Sequence, residues 1–238
     1  MNSLLFILVI TFATFIQTSA GFGFSMVALS IISLFLPMIT GSVIAVLCML
    51  PLTLYIAINN RKHINWKIFT IPFIVAILFT QIGIRLLMIT DNGILLKLLG
   101  IALIGFSLFS LFARAEIKFQ PNLGVKFFFG MLSGLFSGLF TMGGPPIAIY
   151  MLAASNTKEE YNSTMQLYFL CTASISAITH FMYGNITMEV IRYVGLAYIG
   201  VFLGTILGRK LFKTLSGEKI RKLVYGIMLV MGFVVLIR

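Results

Sequence analysis

The chain has 238 residues, of which 60% are hydrophobic and only 10% are charged, and its formal net charge is +11. Soluble domains carry roughly 25% charged residues, so this composition excludes a water-soluble globular enzyme, and it is too apolar for a disordered chain. Because the basic residues lie between long apolar runs, we interpret the positive charge as a sign of membrane topology and expect no nucleic-acid partner.

Eight apolar runs follow one another along the chain and are separated by polar segments. A helix needs roughly 20 apolar residues to cross a membrane, and most of the runs are close to that length. We therefore predict an all-α polytopic membrane protein of the cell membrane, with the bacterial plasma membrane as its expected location. The runs are 3–36, 41–58, 68–88, 94–112, 124–154, 163–182, 190–207 and 223–237.

The first and fifth runs are too long for one span, and helix-breaking residues interrupt both of them. The first contains Gly21-Phe22-Gly23-Phe24-Ser25, and the fifth contains Thr141-Met142-Gly143-Gly144-Pro145-Pro146. Glycine and proline favour turns and helix ends over helix interiors. Each long run is therefore predicted to form a pair of short helices, whose second members cover 26–35 and 147–152.

The distribution of basic residues indicates how the fifth run is inserted. If 124–154 returns to the side from which it came, thirteen Lys and Arg residues share one face of the membrane and four lie on the other. If the run crosses once, the division becomes eight against nine. Positive residues favour the cytoplasmic side of short loops, so the distribution favours a re-entrant hairpin. We extend the hairpin to the first run because the two runs are similar.

The two halves of the sequence resemble each other weakly but in a consistent order. A shift of about 120 residues places Gly23 on Gly143. Each half, 1–113 and 124–238, is predicted to be a broken-helix hairpin plus three transmembrane helices, and 114–123 is predicted to be a cytoplasmic linker. A hairpin adds no net crossing, so each half crosses an odd number of times and the two repeats have inverted topology. Broken helices at matching positions of inverted repeats are characteristic of secondary transporters.

The two breaks form the predicted substrate site. Free N–H groups at a helix N-terminus bind anions with the help of the helix dipole, and glycine allows close approach of the backbone. A small anion held in this way needs no buried cation. The predicted substrate-binding residues are Gly21, Phe22, Gly23, Phe24, Ser25, Thr141, Met142, Gly143, Gly144, Pro145 and, from the unusually polar run 163–182, Gln166.

Polar side chains flank both breaks, and two interpretations of them have equal weight. They either donate hydrogen bonds to a bound anion or satisfy backbone groups that the breaks set free. These residues are Gln17, Thr18, Ser19, Ser25, Ser137 and Thr141.

Ionisable and reactive residues indicate little chemistry inside the predicted spans. No acidic residue lies deep in a run, so a buried carboxylate proton relay is not expected, and no enzymatic, cofactor-binding or metal-binding motif is found. We interpret Arg85 as a side chain that snorkels to the membrane interface. The sequence leaves open whether Arg85, Cys48, Cys171 or His180 takes part in transport, and it leaves the coupling ion and the oligomeric state open.

The residues around the breaks resemble the two signatures of the TauE/SafE sulfite exporter family. The resemblance is carried by Gly21-Phe22-Gly23-Phe24 closing at Pro37, by the run from Ser137 to Pro146, and by the basic loop from Arg61 to Trp66. Members of this family are membrane proteins implicated in moving sulfite, sulfonates such as sulfoacetate, or related organosulfur anions. The resemblance covers essentially the whole chain and implies a small sulfur-containing anion as substrate, without fixing which one.

These observations predict a secondary transporter that exports sulfite or a small sulfonate by alternating access. Two other classes stay open at this point. A small-anion channel would use the same breaks but show no counterflow and little saturation. A non-transport membrane scaffold or assembly protein would need no polar breaks.

Overall fold

The computed structural model describes residues 2–59, 61–112, 122–211 and 217–237. This part of the chain is all-helical, as predicted, with no β-strand, and a short 3-10 turn at Arg61–His63 precedes the fourth helix. The predicted linker 114–123 lies outside the described residues except at its last two positions. The helices are α1 Ser3–Ala20, α2 Phe24–Ile32, α3 Met38–Asn59, α4 Trp66–Ile89, α5 Asn92–Phe112, α6 Leu123–Phe140, α7 Gly144–Ala154, α8 Lys158–Met182, α9 Met188–Leu211 and α10 Gly217–Ile237.

Five helices in the described part of the chain are long and apolar enough to cross a membrane: α3, α4, α5, α6 and α9. The helices α1, α7 and α10 contain shorter apolar segments. The composition of these helices fits a multi-pass membrane protein.

Both predicted helix breaks are confirmed. α1 ends at Ala20 and α2 begins at Phe24, whereas α6 ends at Phe140 and α7 begins at Gly144. The second helix of each pair starts earlier than predicted. α2 begins directly after Gly23, and α7 includes Gly144 and two prolines, because glycine and proline are tolerated in a first helical turn, where N–H groups have no intrahelical acceptor. α1 packs against α2 and α6 packs against α7, as a hairpin requires.

The chain forms two compact units. Unit 1 consists of Met1–Cys48, Ile89–Ala113 and Gly184–Arg238, and unit 2 consists of Met49–Met88 and Arg114–Tyr183. Each unit draws helices from both halves of the sequence. The predicted repeats are therefore a different division of the chain from the compact units.

In unit 1, glycines at four-residue spacing let α9 lie directly against α1. A Cβ added to Gly200 would lie 2.8 Å from the carbonyl oxygen of Ile7, and one added to Gly208 would lie 2.7 Å from Cβ of Thr18. The contacts advance in the same direction on both helices, so α1 and α9 run parallel. Small residues at such contacts are typical of helix packing in membranes.

We expect Gly204→Ala to destabilise this contact. The new methyl group would overlap the carbonyl oxygen of Thr11 and lie 2.6 Å from Cβ of Thr14, and overpacking of this kind costs about 1–3 kcal/mol. The melting temperature of the detergent-solubilised protein should fall by several degrees, at roughly 2–4 °C per kcal/mol. The matched control is Gly195→Ala on the same helix, where an added Cβ would meet no heavy atom of the described residues within 4 Å apart from its own helix backbone. Equal melting temperatures for the two variants would contradict the contact.

Unit 1 also contains an antiparallel pair, α5 and α10. A Cβ on Gly100 would lie 3.1 Å from Cβ of Leu236, and a Cβ on Gly232 would lie 2.7 Å from Cγ1 of Ile104. Gly100 on α5 therefore faces Leu236 on α10, whereas Ile104, later on α5, faces Gly232, earlier on α10. This order of contacts is that of antiparallel helices.

In unit 2, α6 lies against α4 through a second row of glycines. A Cβ on Gly130 would lie 2.6 Å from the carbonyl oxygen of Pro72, and a Cβ on Gly134 would lie 2.6 Å from that of Ala76. The hydroxyl of Thr80 donates to the carbonyl of Gly134 at 3.2 Å. These contacts also advance together, so α4 and α6 run parallel, and the last turn of α6 is held beside α4.

Candidate functional site

The first break, which we call the first tip (Gly21–Ser25), lies in unit 1 and needs its glycines for backbone reasons. Gly21 has φ 83° and Gly23 has φ 110°, in a region that side chains strongly disfavour. The N–H of Gly21 donates to the carbonyl of Gln17 at 2.8 Å and ends α1. The two glycines therefore let the chain leave one helix and enter the next within three residues.

The buried amide of Gln17 closes the first tip. Its Nε2 donates to the carbonyl of Gly21 at 3.3 Å, and its Oε1 accepts the N–H of Phe24 at 3.1 Å. One side chain thus satisfies the end of α1 and the start of α2. Of the two interpretations of the flanking polar residues, the structure supports backbone satisfaction for Gln17, which occupies one first-turn N–H of α2.

The aromatic residues of the first tip are packed inside unit 1. Phe22 is buried, and its ring centroid lies 6.0 Å from that of Tyr225 on α10. A Cβ on Gly23 would lie 3.4 Å from Val224 on the same helix. α10 therefore covers this tip, and Phe24 is fully buried beside it.

The second break, which we call the second tip (Thr141–Pro145), lies in unit 2 and contains a strained residue. Thr141 has φ 56°, the only positive φ of a non-glycine residue in the described ranges. This conformation is unusual for a β-branched residue. The N–H of Thr141 donates to Ser137 at 2.9 Å and that of Met142 to Phe136 at 3.0 Å, so both are bound to carbonyls of α6.

Two N–H groups of the second tip remain as backbone candidates for an anion. Gly143 is the N-cap of α7 and, as a glycine, has no side chain that could cap the helix, and Gly144 opens the helix. Pro145 and Pro146 follow in the first turn and have no N–H to donate. Pro145 therefore offers a ligand only van der Waals contact, whereas Gly143 and Gly144 stand at the positive end of the α7 dipole.

A buried hydrogen-bond chain holds the second tip in place. The hydroxyl of Tyr168 on α8 donates to Ser133 Oγ at 2.9 Å, and the hydroxyl of Ser133 on α6 donates to the carbonyl of Gly143 at 2.8 Å. Both side chains are fully buried. Ser133 is not among the residues predicted from the sequence, although its position four residues before Ser137, on the same face of α6, is a signal for it.

The predicted site residue Gln166 is buried in α8, and the hydroxyl of Tyr168, two residues later, donates to Ser133 beside the second tip. Two residues of an α-helix correspond to a rotation of about 200°, so Gln166 and Tyr168 point in nearly opposite directions. Near the C-terminal end of α8, Thr179 exchanges hydrogen bonds with the side-chain amide of Gln81. The polar face of α8 thus serves at least two different contacts.

A basic residue is level with each tip on the neighbouring parallel helix. In unit 1, Gly208 packs against the last turn of α1, and the exposed Lys210 follows two residues later. In unit 2, Gly83 packs against the last turn of α6, and the exposed Arg85 follows two residues later. Nε of Arg85 donates to the hydroxyl of Tyr183 at 3.2 Å. Tyr183 directly follows α8, which agrees with the interpretation of Arg85 as an interfacial side chain.

The described residues contain no cluster of three or more His, Cys, Asp or Glu side chains that could hold a metal ion. Cys48 is fully buried, and Cys171 is half-buried. His180 is buried near the end of α8.

One family profile and two known proteins match the chain. The family profile described as sulfite exporter TauE/SafE matches residues 6–235. The chain is similar to the probable sulfite/organosulfonate exporter TauE of Cupriavidus necator, with 23% identity over 224 residues, which are 92% of this chain and 88% of that protein. It is also similar to a probable membrane transporter protein of Methanocaldococcus jannaschii, with 25% identity over 191 residues, which are 74% of this chain and 70% of that protein. No solved structure matches the chain significantly.

Proposed function

Because the chain belongs to the TauE/SafE sulfite exporter family, we propose that it exports sulfite or a small sulfonate such as sulfoacetate across the plasma membrane. The relative from Cupriavidus necator, whose name specifies sulfite and organosulfonate export, supports this substrate class. The proposed mechanism is secondary transport by alternating access, in which each tip offers contacts for an anion and the binding site opens to the two sides of the membrane in turn.

The observation that carries the proposal is the chemistry of the second tip. It combines a buried turn, a strained Thr141 and the N-terminus of α7 with the backbone donors of Gly143 and Gly144. The buried polar residues of the described chain are Ser, Thr, Gln and His, with no Asp, Glu, Lys or Arg among them. A compact oxyanion can be held by such neutral donors without a buried ion pair, and this favours release as well as binding.

We also propose that the two halves of the chain are inverted repeats. The third spans of the two halves, α5 and α10, are antiparallel, as equivalent helices of an inverted repeat must be. The first helix of each hairpin runs parallel to the second span of the other half, α1 with α9 and α6 with α4. Each unit thus pairs a hairpin helix of one half with the second span of the other half, and this correspondence supports the repeat. Inverted repeats are the usual design of carriers with broken helices.

Solute counterflow in proteoliposomes tests the proposed function. Vesicles are loaded with sulfite, and uptake of a labelled trace of sulfite from outside is followed, with sulfate, thiosulfate, sulfoacetate and acetate as competitors. We expect saturable counterflow that sulfoacetate inhibits and acetate does not. Vesicles without protein, and vesicles with a folded Gly143→Ala variant, are the controls.

Two results would overturn the proposal. Uptake that does not saturate and shows no counterflow would indicate a channel. No uptake of any tested anion by protein that melts cooperatively would remove sulfur oxyanions as the substrate class.

A further inference from the structure

A basic groove opens on unit 2 where α4 and α8 begin. It has a volume of about 630 Å³, and its lining includes Lys62, His63, Asn65, Trp66, Lys67 and Glu160. The side chains of Lys62, His63 and Lys67 are exposed, and Trp66 is 60% exposed. A large exposed tryptophan next to lysines is typical of a residue at the membrane–water interface.

The acid in this groove is already bound by neutral donors. Oε1 of Glu160 accepts the side-chain amide of Asn65 at 2.5 Å, and Oε2 accepts the backbone N–H and the side-chain amide of Asn156 at 3.3 and 3.4 Å. The N–H of Asn65 also donates to Thr164 Oγ1 at 3.0 Å. These bonds fasten the loop before α4 to α8. The groove keeps a net positive charge, because Lys62 and Lys67 line it with Glu160 as the one acidic lining residue.

A second groove, this one apolar, lies deeper on the same unit. Its volume is about 690 Å³, and its lining includes Leu50, Leu54, Phe73, Leu170, Cys171 and Ile175 from α3, α4 and α8. Leu54 is 46% exposed. A groove of this composition fits a hydrocarbon chain better than a soluble anion.

One aromatic row on α4 connects the two grooves. The ring centroids of Trp66 and Phe69 are 5.5 Å apart, and those of Phe69 and Phe73 are 4.9 Å apart. Trp66 lines the basic groove and Phe73 lines the apolar one. Seven residues of helix separate them, a rise of about 10 Å. A phospholipid has the same arrangement, because its charged headgroup lies at the interface and its acyl chain lies deeper in the membrane.

We propose that these two grooves together bind one anionic phospholipid, with its phosphate beside Lys62 and Lys67 and one acyl chain against Phe73 and Cys171. Basic clusters at the membrane surface attract anionic lipids, and each basic residue contributes roughly a fivefold preference, which corresponds to about 1 kcal/mol. The inference goes beyond the proposed function and does not depend on the identity of the transported anion.

The proposed lipid would lie against a ring that packs on the support of the second tip. The rings of Phe69 and Phe73 both pack edge-on against Tyr168, at 6.4 and 6.3 Å between centroids. Tyr168 begins the hydrogen-bond chain to Gly143. We therefore expect transport to be faster in vesicles that contain phosphatidylglycerol than in pure phosphatidylcholine.

Fluorescence of Trp66 tests the binding directly, because it is the only tryptophan of the chain. The protein is reconstituted in unlabelled phosphatidylcholine. Increasing fractions of a quenching lipid are added, either phosphatidylglycerol or phosphatidylcholine, each brominated on the acyl chains near the headgroup. We expect brominated phosphatidylglycerol to reach half-maximal quenching at a mole fraction at least roughly fivefold lower than brominated phosphatidylcholine does. The Lys62→Gln/Lys67→Gln variant should lose this preference, and Lys97→Gln on α5 should retain it. Equal quenching by the two lipids, or a preference that survives the double substitution, would overturn the proposal.

Alkylation of Cys171 is a second measurement that needs no variant. Cys48 is fully buried, so a maleimide added to the folded protein in micelles reports mainly on Cys171. Phosphatidylglycerol should slow the reaction severalfold more than phosphatidylcholine does. Equal slowing of the reaction by phosphatidylglycerol and phosphatidylcholine would contradict the proposed preference for an anionic lipid.

Discussion

Gly143→Ala is expected to reduce transport by about a hundredfold while the protein still folds. A Cβ at this position would overlap Ser137 Oγ and lie 2.6 Å from the carbonyl oxygen of Ser133. The second tip must move to accept it, and a displacement of about 1 Å in a preorganised site costs on the order of a hundredfold in rate. We expect the counterflow rate to fall by about this factor, measured in proteoliposomes with matched protein content.

A matched control and a rescue variant make this result specific. Gly124, near the start of α6, meets only Asn122 Oδ1 at 3.6 Å, so Gly124→Ala should transport normally. Removing the overlapping hydroxyl with Ser137→Ala should restore part of the activity of Gly143→Ala. Normal transport by the single variant would remove the second tip from the substrate site.

Ser133→Ala has the second largest expected effect, because Ser133 is the middle of the buried chain. Its loss leaves the hydroxyl of Tyr168 and the carbonyl of Gly143 without these partners, and a buried polar group left unsatisfied costs about 1–3 kcal/mol. We expect a lower melting temperature and a raised KM for counterflow. Tyr168→Phe should be milder, since Ser133 can still donate to Gly143.

The double variant tests whether the chain acts as a unit. With Ser133→Ala and Tyr168→Phe together, no tyrosine hydroxyl remains to be stranded, so the double variant should lose about 1 kcal/mol less than the sum of the single losses. Ser174→Ala is the control, because the hydroxyl of Ser174 bonds within α8, to Leu170, at 2.8 Å. Additive losses would show that the two hydroxyls do not depend on each other.

Much of the architecture could be predicted from local physics. Apolar runs of sufficient length become helices because the bilayer leaves backbone groups no partner outside the chain. The breaks at Gly21 and Gly143 were predictable from their own residues. Two glycines adopt left-handed φ at the first break, and two prolines without an N–H follow the second. Polar segments between the runs marked the loops.

The side chains that hold the two tips in place could not be predicted from local physics alone. Gln17 had two interpretations of equal weight, and only its hydrogen bonds to Gly21 and Phe24 decided between them. Ser133 and Tyr168 lie ten and twenty-five residues from Gly143, on two other helices. A single sequence shows that α8 is polar, but it does not show which of its faces meets which neighbour.

The sequence by itself determined the membrane class, the helices, the two breaks and the resemblance to the family, because composition, helix-breaking residues and local motifs act within a few turns of chain. Only the tertiary structure decided that α1 pairs with α9 and α6 with α4, that α5 and α10 oppose each other, and that α8 supports the second tip. These contacts join residues far apart in the chain. Their energy comes from packing and buried hydrogen bonds that exist only once the helices have assembled.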